Sequence, residues 1–305
     1  MKRGAATLPL AAGLLFLGPW SVLLAQTPPP KPLTSAEVLA ASTAADWRAL
    51  DPADTLYLDL AAGRVVIELS RVHAPQHVAA IKTLARARYW DGLAINRLQD
   101  NFVAQWGDPE NKKPLPKLAP MPPEFSRAIA PDLPFSALPD ADGWARQVGF
   151  TQGMAAARSA TEQWLVHCYG ALGVGRDNEP ESGLGNELYV VIGQSPRQLD
   201  GNVAVVGKVW RGMELLASLP RGTAGGLGLY EKVEQRVPIR SLRLASDVPA
   251  AERTTLEVLR EDREVFARFV ESRRNRRDGW YVKPAGHIDV CNIAVPVREV
   301  AASGP

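Results

Sequence analysis

Apolar and polar residues alternate residue by residue over Thr55 to Leu60 and again over Arg64 to Leu69. Ala61-Ala62-Gly63 supplies a small-residue turn between them, so the two runs predict a β-hairpin. Val65, Ile67 and Leu69 fall on one face of its second strand, Val66 and Glu68 on the other. The period then lengthens. His73-Ala74-Pro75 opens a helix with Pro75 suited to the first turn, Val78, Ile81, Leu84 and Ala85 form its buried stripe, and Gly92 ends it. Leu93, Ile95 and Leu98 lead into the polar turn Gln99-Asp100-Asn101, and Phe102-Val103-Ala104 resumes the apolar run, which reads as strand, turn and strand.

From residue 109 to about 160 prolines are frequent and periodicity is weak, over a length too great for an ordinary connection. Two readings stay open: a loop over a binding groove, or an extended cover for the wall of the body. Strand patterns return at Trp164 to Tyr169, Gly170 to Arg176, Asn186 to Gly193 and Val203 to Val209, with Ile239 to Leu244 as a closing strand. Before the body, Thr34-Ser35-Ala36-Glu37 has capping-box spacing and opens an Ala-rich helix running to about Leu50. After it, Leu256, Leu259, Val265, Phe266, Phe269 and Val270 recur among charges over Glu252 to Arg277 and predict one amphipathic helix. Gly279 to Val300 then folds back on the body.

Composition changes this picture at two points. Across 305 residues, 25 Pro and 25 Gly favour many turns and a β-rich body, and a net charge of +2 gives no reason to expect nucleic acid as a partner. Residues 1–25 read as a signal peptide: Lys2 and Arg3 precede an apolar stretch from Leu8 to Leu24, with Ala25 before the cut. The expectation is a periplasmic or secreted protein with no stable membrane insertion once the leader is removed. Residues 26–53 then hold the Pro-rich linker and short helix, 54–245 the body and 246–305 a C-terminal extension. In an oxidising compartment Cys168 and Cys291 are permitted to pair, which would tie the tail to the body; two separately buried thiols are the alternative. The i,i+4 pair His73 and His77 tempts a metal reading, but Pro75 lies between them and no Cys or carboxylate completes a ligand set nearby.

The stretch from Ile95 to Asp108 carries the candidate chemistry. A lone Arg in a strand is normally a solvated face residue. Here Arg97 is followed at close spacing by Phe102 and Gln105, which together could line a small pocket with one apolar wall and two hydrogen-bond donors. The stretch resembles the signature of the cyclophilin-type peptidyl-prolyl isomerases, F-H-R, four residues, then F-x-x-Q-G-G-D. Arg97, Phe102, Gln105, Gly107 and Asp108 match in type and spacing, while Ile95-Asn96 replaces the leading Phe-His and Trp106 the first Gly. Gly170 to Arg176 is similar to the family's G-T-I-A-M-A-R, Asn186 to Ile192 to its S-Q-F-F-I strand, and Leu199-Asp200-Gly201 with Val203 to Val209 to its L-D-G-x-x-x-V-F-G-x-V run.

The resemblance covers about Asp54 to Ala245, with residues 109–160 as an insertion. It implies a mainly β fold, a closed antiparallel barrel of about eight strands capped by helices, to which the residue patterns outside it add helical extensions at both termini. It also implies isomerisation of Xaa-Pro bonds in exported proteins, with proline-containing polypeptides as partners and no cofactor. Arg97, Phe102 and Gln105 would be catalytic. Val103, Tyr189 and Leu199 would be apolar walls, Gly175 and Arg176 would lie under the residue before proline, and Glu187 would stand where the family has an amide. Glu187 would offer a carboxylate able to pair with Arg97, Gln198 stands where a Trp is expected, and Val203 removes a polar wall group. These departures keep a second reading open: a weak or inactive cyclophilin-like chaperone or binding module. No Ser or Cys sits in a nucleophile elbow, which disfavours a hydrolase.

Overall fold

The computed structural model describes Met1, residues 33–118 and residues 121–300. The leader and most of the Pro-rich linker therefore lie outside the described residues. The predicted hairpin forms as Thr55–Leu60 and Gly63–Leu69, with Leu60 paired to Gly63 across the turn. It sits in a nine-stranded antiparallel sheet. The order is Val237–Pro238, Ala94–Leu98, Val103–Gly107, Leu188–Val191, Ala171–Val174, Val205–Arg211, Gly63–Leu69, Thr55–Leu60 and Ser241–Leu244.

That sheet differs from the expected closed eight-stranded barrel: it has nine strands, and no ladder pairs its two end strands. Those end strands, Val237–Pro238 and Ser241–Leu244, are nevertheless neighbours in sequence. Between them Ile239 N donates to Leu93 O (2.9 Å) and Arg240 N to Asp59 O (2.9 Å), so one bent segment reaches both edges of a curled sheet. The expected closing strand Ile239–Leu244 therefore begins only at Ser241, because Ile239 and Arg240 turn from one edge of the sheet to the other.

Alternation along the strands sorts side chains into two cores. Leu56, Leu58, Leu60, Val65, Ile67 and Leu69 point inward with Trp106, Leu188 and Val190, against Val78, Ile81 and Leu84 of the helix Pro75–Arg86. Each fully buried aliphatic side chain of this kind contributes roughly 1.5–3 kcal/mol. Pro75 occupies the first turn as the pattern predicts, and the Glu124 carboxylate accepts from Gln76 N (3.0 Å), His77 N (2.9 Å) and His77 Nδ1 (2.7 Å). His73 bonds to Ser70 Oγ (3.0 Å) and to the Gln163 amide (2.8 Å).

The outward faces of the same strands are also buried. Tyr57, Val66, Val103, Tyr189 and Trp210 belong to a second core shared with residues outside the main sheet. Residues 109–160 supply much of it. Rather than an irregular loop, they contribute Arg127–Ala128, Ser136–Ala137, Gln147–Thr151 and Met154–Arg158, which with Glu162–Leu165 make a five-stranded sheet. Of the two readings of this segment, the cover for the wall describes most of it.

Three expected elements are shorter or different. The first helix is Ser35–Ala40, held by its capping box, and Trp47–Ala49 is a strand instead of its continuation. The single helix predicted over Glu252 to Arg277 is a strand, Leu256–Leu259, followed by a helix, Glu264–Arg274. Leu256 and Val258 alternate with Glu257, and pairing with Trp47–Ala49 and Val297–Glu299 decides for the strand. The strand predicted from Trp164 ends at Leu165. Cys168 and Cys291 are bonded, with Cα atoms 5.0 Å apart, which ties the C-terminal segment to the body.

Candidate active site

Arg97 lies on Ala94–Leu98, where the ladder to Val103–Gly107 shifts register between Ile95 and Arg97. Ile95 opposes Trp106 while Arg97 opposes Gln105, so Asn96 is the extra residue of a bulge, a device that re-aims the following side chain. The same row continues: Gln105 opposes Tyr189, and Tyr189 opposes Gly173. Residues far apart in sequence thereby stand side by side on one face. A Cβ at Gly173 would lie 2.2 Å from Tyr189 Cζ, so the missing side chain makes the room the phenol ring occupies.

All nine residues expected at the site border one groove of about 570 Å³: Arg97, Phe102, Val103, Gln105, Gly175, Arg176, Glu187, Tyr189 and Leu199. Val203 adds to its apolar side, and Asp108, Asn111, Ser182 and Asn186 add polar groups. Asn111, Ser182 and Asn186 carry no pattern that distinguishes them from surface loop residues. Of the described residues among 112–160 none borders this groove.

Arg97 is held rather than free. Its Nε donates to Leu227 O (2.6 Å), Nη1 to Gln105 Oε1 (3.1 Å) and Nη2 to Gln99 Oε1. Its guanidinium carbon lies 5.6 Å from the Phe102 ring centroid. Burial draws its pKa below the ordinary guanidinium range, yet an arginine remains a cation at neutral pH. Three of the five guanidinium N–H groups have these acceptors, which leaves one on each terminal nitrogen for a ligand. Leu227 and Gln99 were not legible as partners: one acts through its carbonyl, the other reads only as a turn residue.

Glu187 does not pair with Arg97. Its carboxylate faces the Gln105 amide, with Nε2 3.5 Å from Oε2. Burial raises the Glu187 pKa, partly offset by that amide. Gln105 therefore bridges the cation and the carboxylate, its oxygen to one and its nitrogen toward the other. Arg176 is fixed by donating to Asn202 O (2.9 Å), Asp177 O (2.7 Å) and Asn178 O (3.1 Å). Trp106, at the position of the family's first Gly, turns into the interior and is fully buried.

Chemically the groove offers an apolar recess of Phe102, Val103, Tyr189 and Leu199 beside a fixed cation. It presents no activated nucleophile. Comparison with known proteins agrees with this geometry. The model of the family described as cyclophilin type peptidyl-prolyl cis-trans isomerase/CLD matches residues 55–244. A probable peptidyl-prolyl cis-trans isomerase from Brucella suis biovar 1 (strain 1330) is 29% identical over 194 residues, 61% of this chain and 82% of that protein. The Brucella abortus (strain 2308) protein of the same description matches to the same extent. Among solved structures, the cyclophilin AquaCyp293 from Hirschia baltica superposes with a TM-score of 0.69 at 24% identity, over 89% of this chain and 99% of that one, a likeness of fold.

Proposed function

The chain belongs to the cyclophilin-type peptidyl-prolyl cis-trans isomerase family and is an isomerase of that class; from that premise we propose that it turns over Xaa-Pro bonds of exported polypeptides in the groove around Arg97. Rotation about such a bond must break amide resonance, at a barrier of roughly 18–20 kcal/mol. No covalent intermediate is needed. What accelerates the step is any contact stronger with the twisted amide than with the planar one.

Twisting removes resonance and makes the prolyl nitrogen more basic. The unused N–H groups of Arg97 are suited to donate to it, and the acceptors Leu227 O and Gln105 hold the guanidinium in place for that role. The recess of Phe102, Val103, Tyr189 and Leu199 would take the pyrrolidine ring. Gly175 and Arg176 would run beneath the residue before it. The observation that carries this reading is the meeting of Arg97, Phe102 and Gln105 at one groove, with the cation seated 5.6 Å from the ring.

Export is supported by the leader pattern of residues 1–25 and by the Cys168–Cys291 bond, which fits an oxidising compartment. A docking module without turnover is the second reading, favoured by the protein acceptors that already engage Arg97. NMR exchange on a short Ala-Pro peptide separates the two. The expected result is accelerated cis–trans exchange, with shift changes at Phe102 and Tyr189. Shift changes without exchange would favour the docking module, and neither would remove the groove from consideration.

A further inference from the structure

A buried polar chain runs beneath the apolar recess. His167 has no exposed surface. Its Nε2 lies 2.9 Å from the Tyr189 hydroxyl and its Nδ1 2.8 Å from Asp200 Oδ1, which also accepts from His167 N (3.1 Å). The imidazole and phenol rings are near parallel, 9° apart, with centroids separated by 6.2 Å. Asp200 Oδ2 accepts from Arg197 Nε (2.6 Å), and the Arg197 fork grips Asp142 at 2.9 and 3.2 Å. Asp142 in turn accepts from Trp144 N (2.7 Å) and Ala145 N (2.8 Å). Arg197, Asp142 and Asp200 are all buried, their side chains 4%, 3% and 7% exposed.

A carboxylate only accepts, which puts a proton on His167 Nδ1; in the neutral imidazole Nε2 is then the acceptor for the Tyr189 hydroxyl, whereas an imidazolium would donate to it. Burial and the nearby Asp200 push the Tyr189 phenol far above its ordinary range, so it keeps its proton and is able to donate to Nε2. The ring of Tyr189 passes over Gly173, whose missing side chain leaves it room, and His167 holds its polar end. His167 is itself anchored by the adjacent Cys168–Cys291 bond.

We propose that His167 is a positioning residue for proline binding: its Nε2, aimed by Asp200 and the Arg197–Asp142 pair, holds the Tyr189 ring as a fixed wall of the recess. Residues 109–160 thus reach the binding site at two places, from beneath through Asp142 and at the groove itself through Asn111. The inference rests on the proposed isomerase reading of that groove.

Two half-replacements of the imidazole test it. In His167→Gln the amide oxygen falls near the place of Nε2 and can still accept from Tyr189. In His167→Asn the amide can meet Asp200 but does not reach the phenol. The steady-state constants are measured on a tetrapeptide containing an Ala-Pro bond. The inference expects His167→Asn to raise KM about tenfold, the size of one lost buried hydrogen bond, with kcat little changed and His167→Gln near wild type. In a Tyr189→Phe background the His167→Asn change should add nothing further. Equal constants for the two variants, or full additivity in the Phe background, would overturn the inference. Should either variant fail to fold, the ¹⁵N spectrum of the wild type decides: Nε2 unprotonated supports the proposal, Nε2 protonated refutes it. A wild type that binds but does not turn over the peptide would sink the isomerase reading instead, leaving the ¹⁵N result to judge His167 alone.

Discussion

Arg97 illustrates what one residue needs from its neighbours at this site. A guanidinium in open solvent would be hydrated and mobile; here Leu227 O, Gln105 and Gln99 hold it beside Phe102, at the cost of three of its donors. The same logic, applied to a buried histidine, gives a pH effect. His73 is 5% exposed, and burial, with Arg127 nearby, depresses its pKa from 6.5 to about 4. A histidine kept neutral by folding is protonated first in the unfolded chain. Its contribution is therefore present above about pH 6.5 and is lost as pH falls toward 4, roughly 3 kcal/mol in all. Denaturant unfolding of His73→Gln should show a shallower loss of stability than wild type across that window. Parallel pH profiles would contradict the assignment.

At the scale of elements, the loop after Pro220 matters more than its Gly-rich sequence suggests. Gly228 has φ +73°, its O accepts from Leu98 N (2.7 Å), and a Cβ there would lie 2.4 Å from Gln99 Cα. Only glycine lets this loop lie against the Arg97 strand and present Leu227 O. Gly228→Ala should lower kcat/KM about tenfold through the lost Arg97 acceptor while leaving the sheet folded by circular dichroism; unchanged kcat/KM would show the loop to be dispensable. The strands of the main sheet were legible because their apolar positions alternate and their turns carry small residues. The strands of the five-stranded sheet were not. Met154–Arg158 reads Met-Ala-Ala-Ala-Arg, with no contrast between faces, and Arg127–Ala128 and Ser136–Ala137 are too short to show a period. Leu256–Leu259 was hidden because its partners, Trp47–Ala49 and Val297–Glu299, lie far away in sequence. At the site, Arg97, Phe102 and Gln105 could be found from one short stretch. The row Gln105–Tyr189–Gly173 and the bond to His167 depend on register between strands, which spacing along the chain does not record.

For the molecule as a whole, residues 109–160 and the C-terminal segment bury the outer wall of the main sheet that would otherwise face water. The Cys168–Cys291 bond spans 123 residues and staples this second layer to the first. Chain-entropy reasoning puts its contribution at about 2–5 kcal/mol, so the Cys168→Ser, Cys291→Ser double variant should unfold at correspondingly lower denaturant. An unchanged midpoint would mean that the packing alone holds the layer in place. Catalysis, by contrast, should depend on the local cation and not on the added layer. NMR exchange on an Ala-Pro peptide, run with wild type, Arg97→Ala and Arg97→Lys at matched folded concentration, tests this most directly. Removing the fixed donor is expected to slow exchange by about 10²–10³-fold, the usual effect of losing one preorganised transition-state donor, and lysine, lacking the planar fork, should recover little of it. Exchange by Arg97→Ala at the wild-type rate would contradict the assignment of rotational catalysis to this guanidinium.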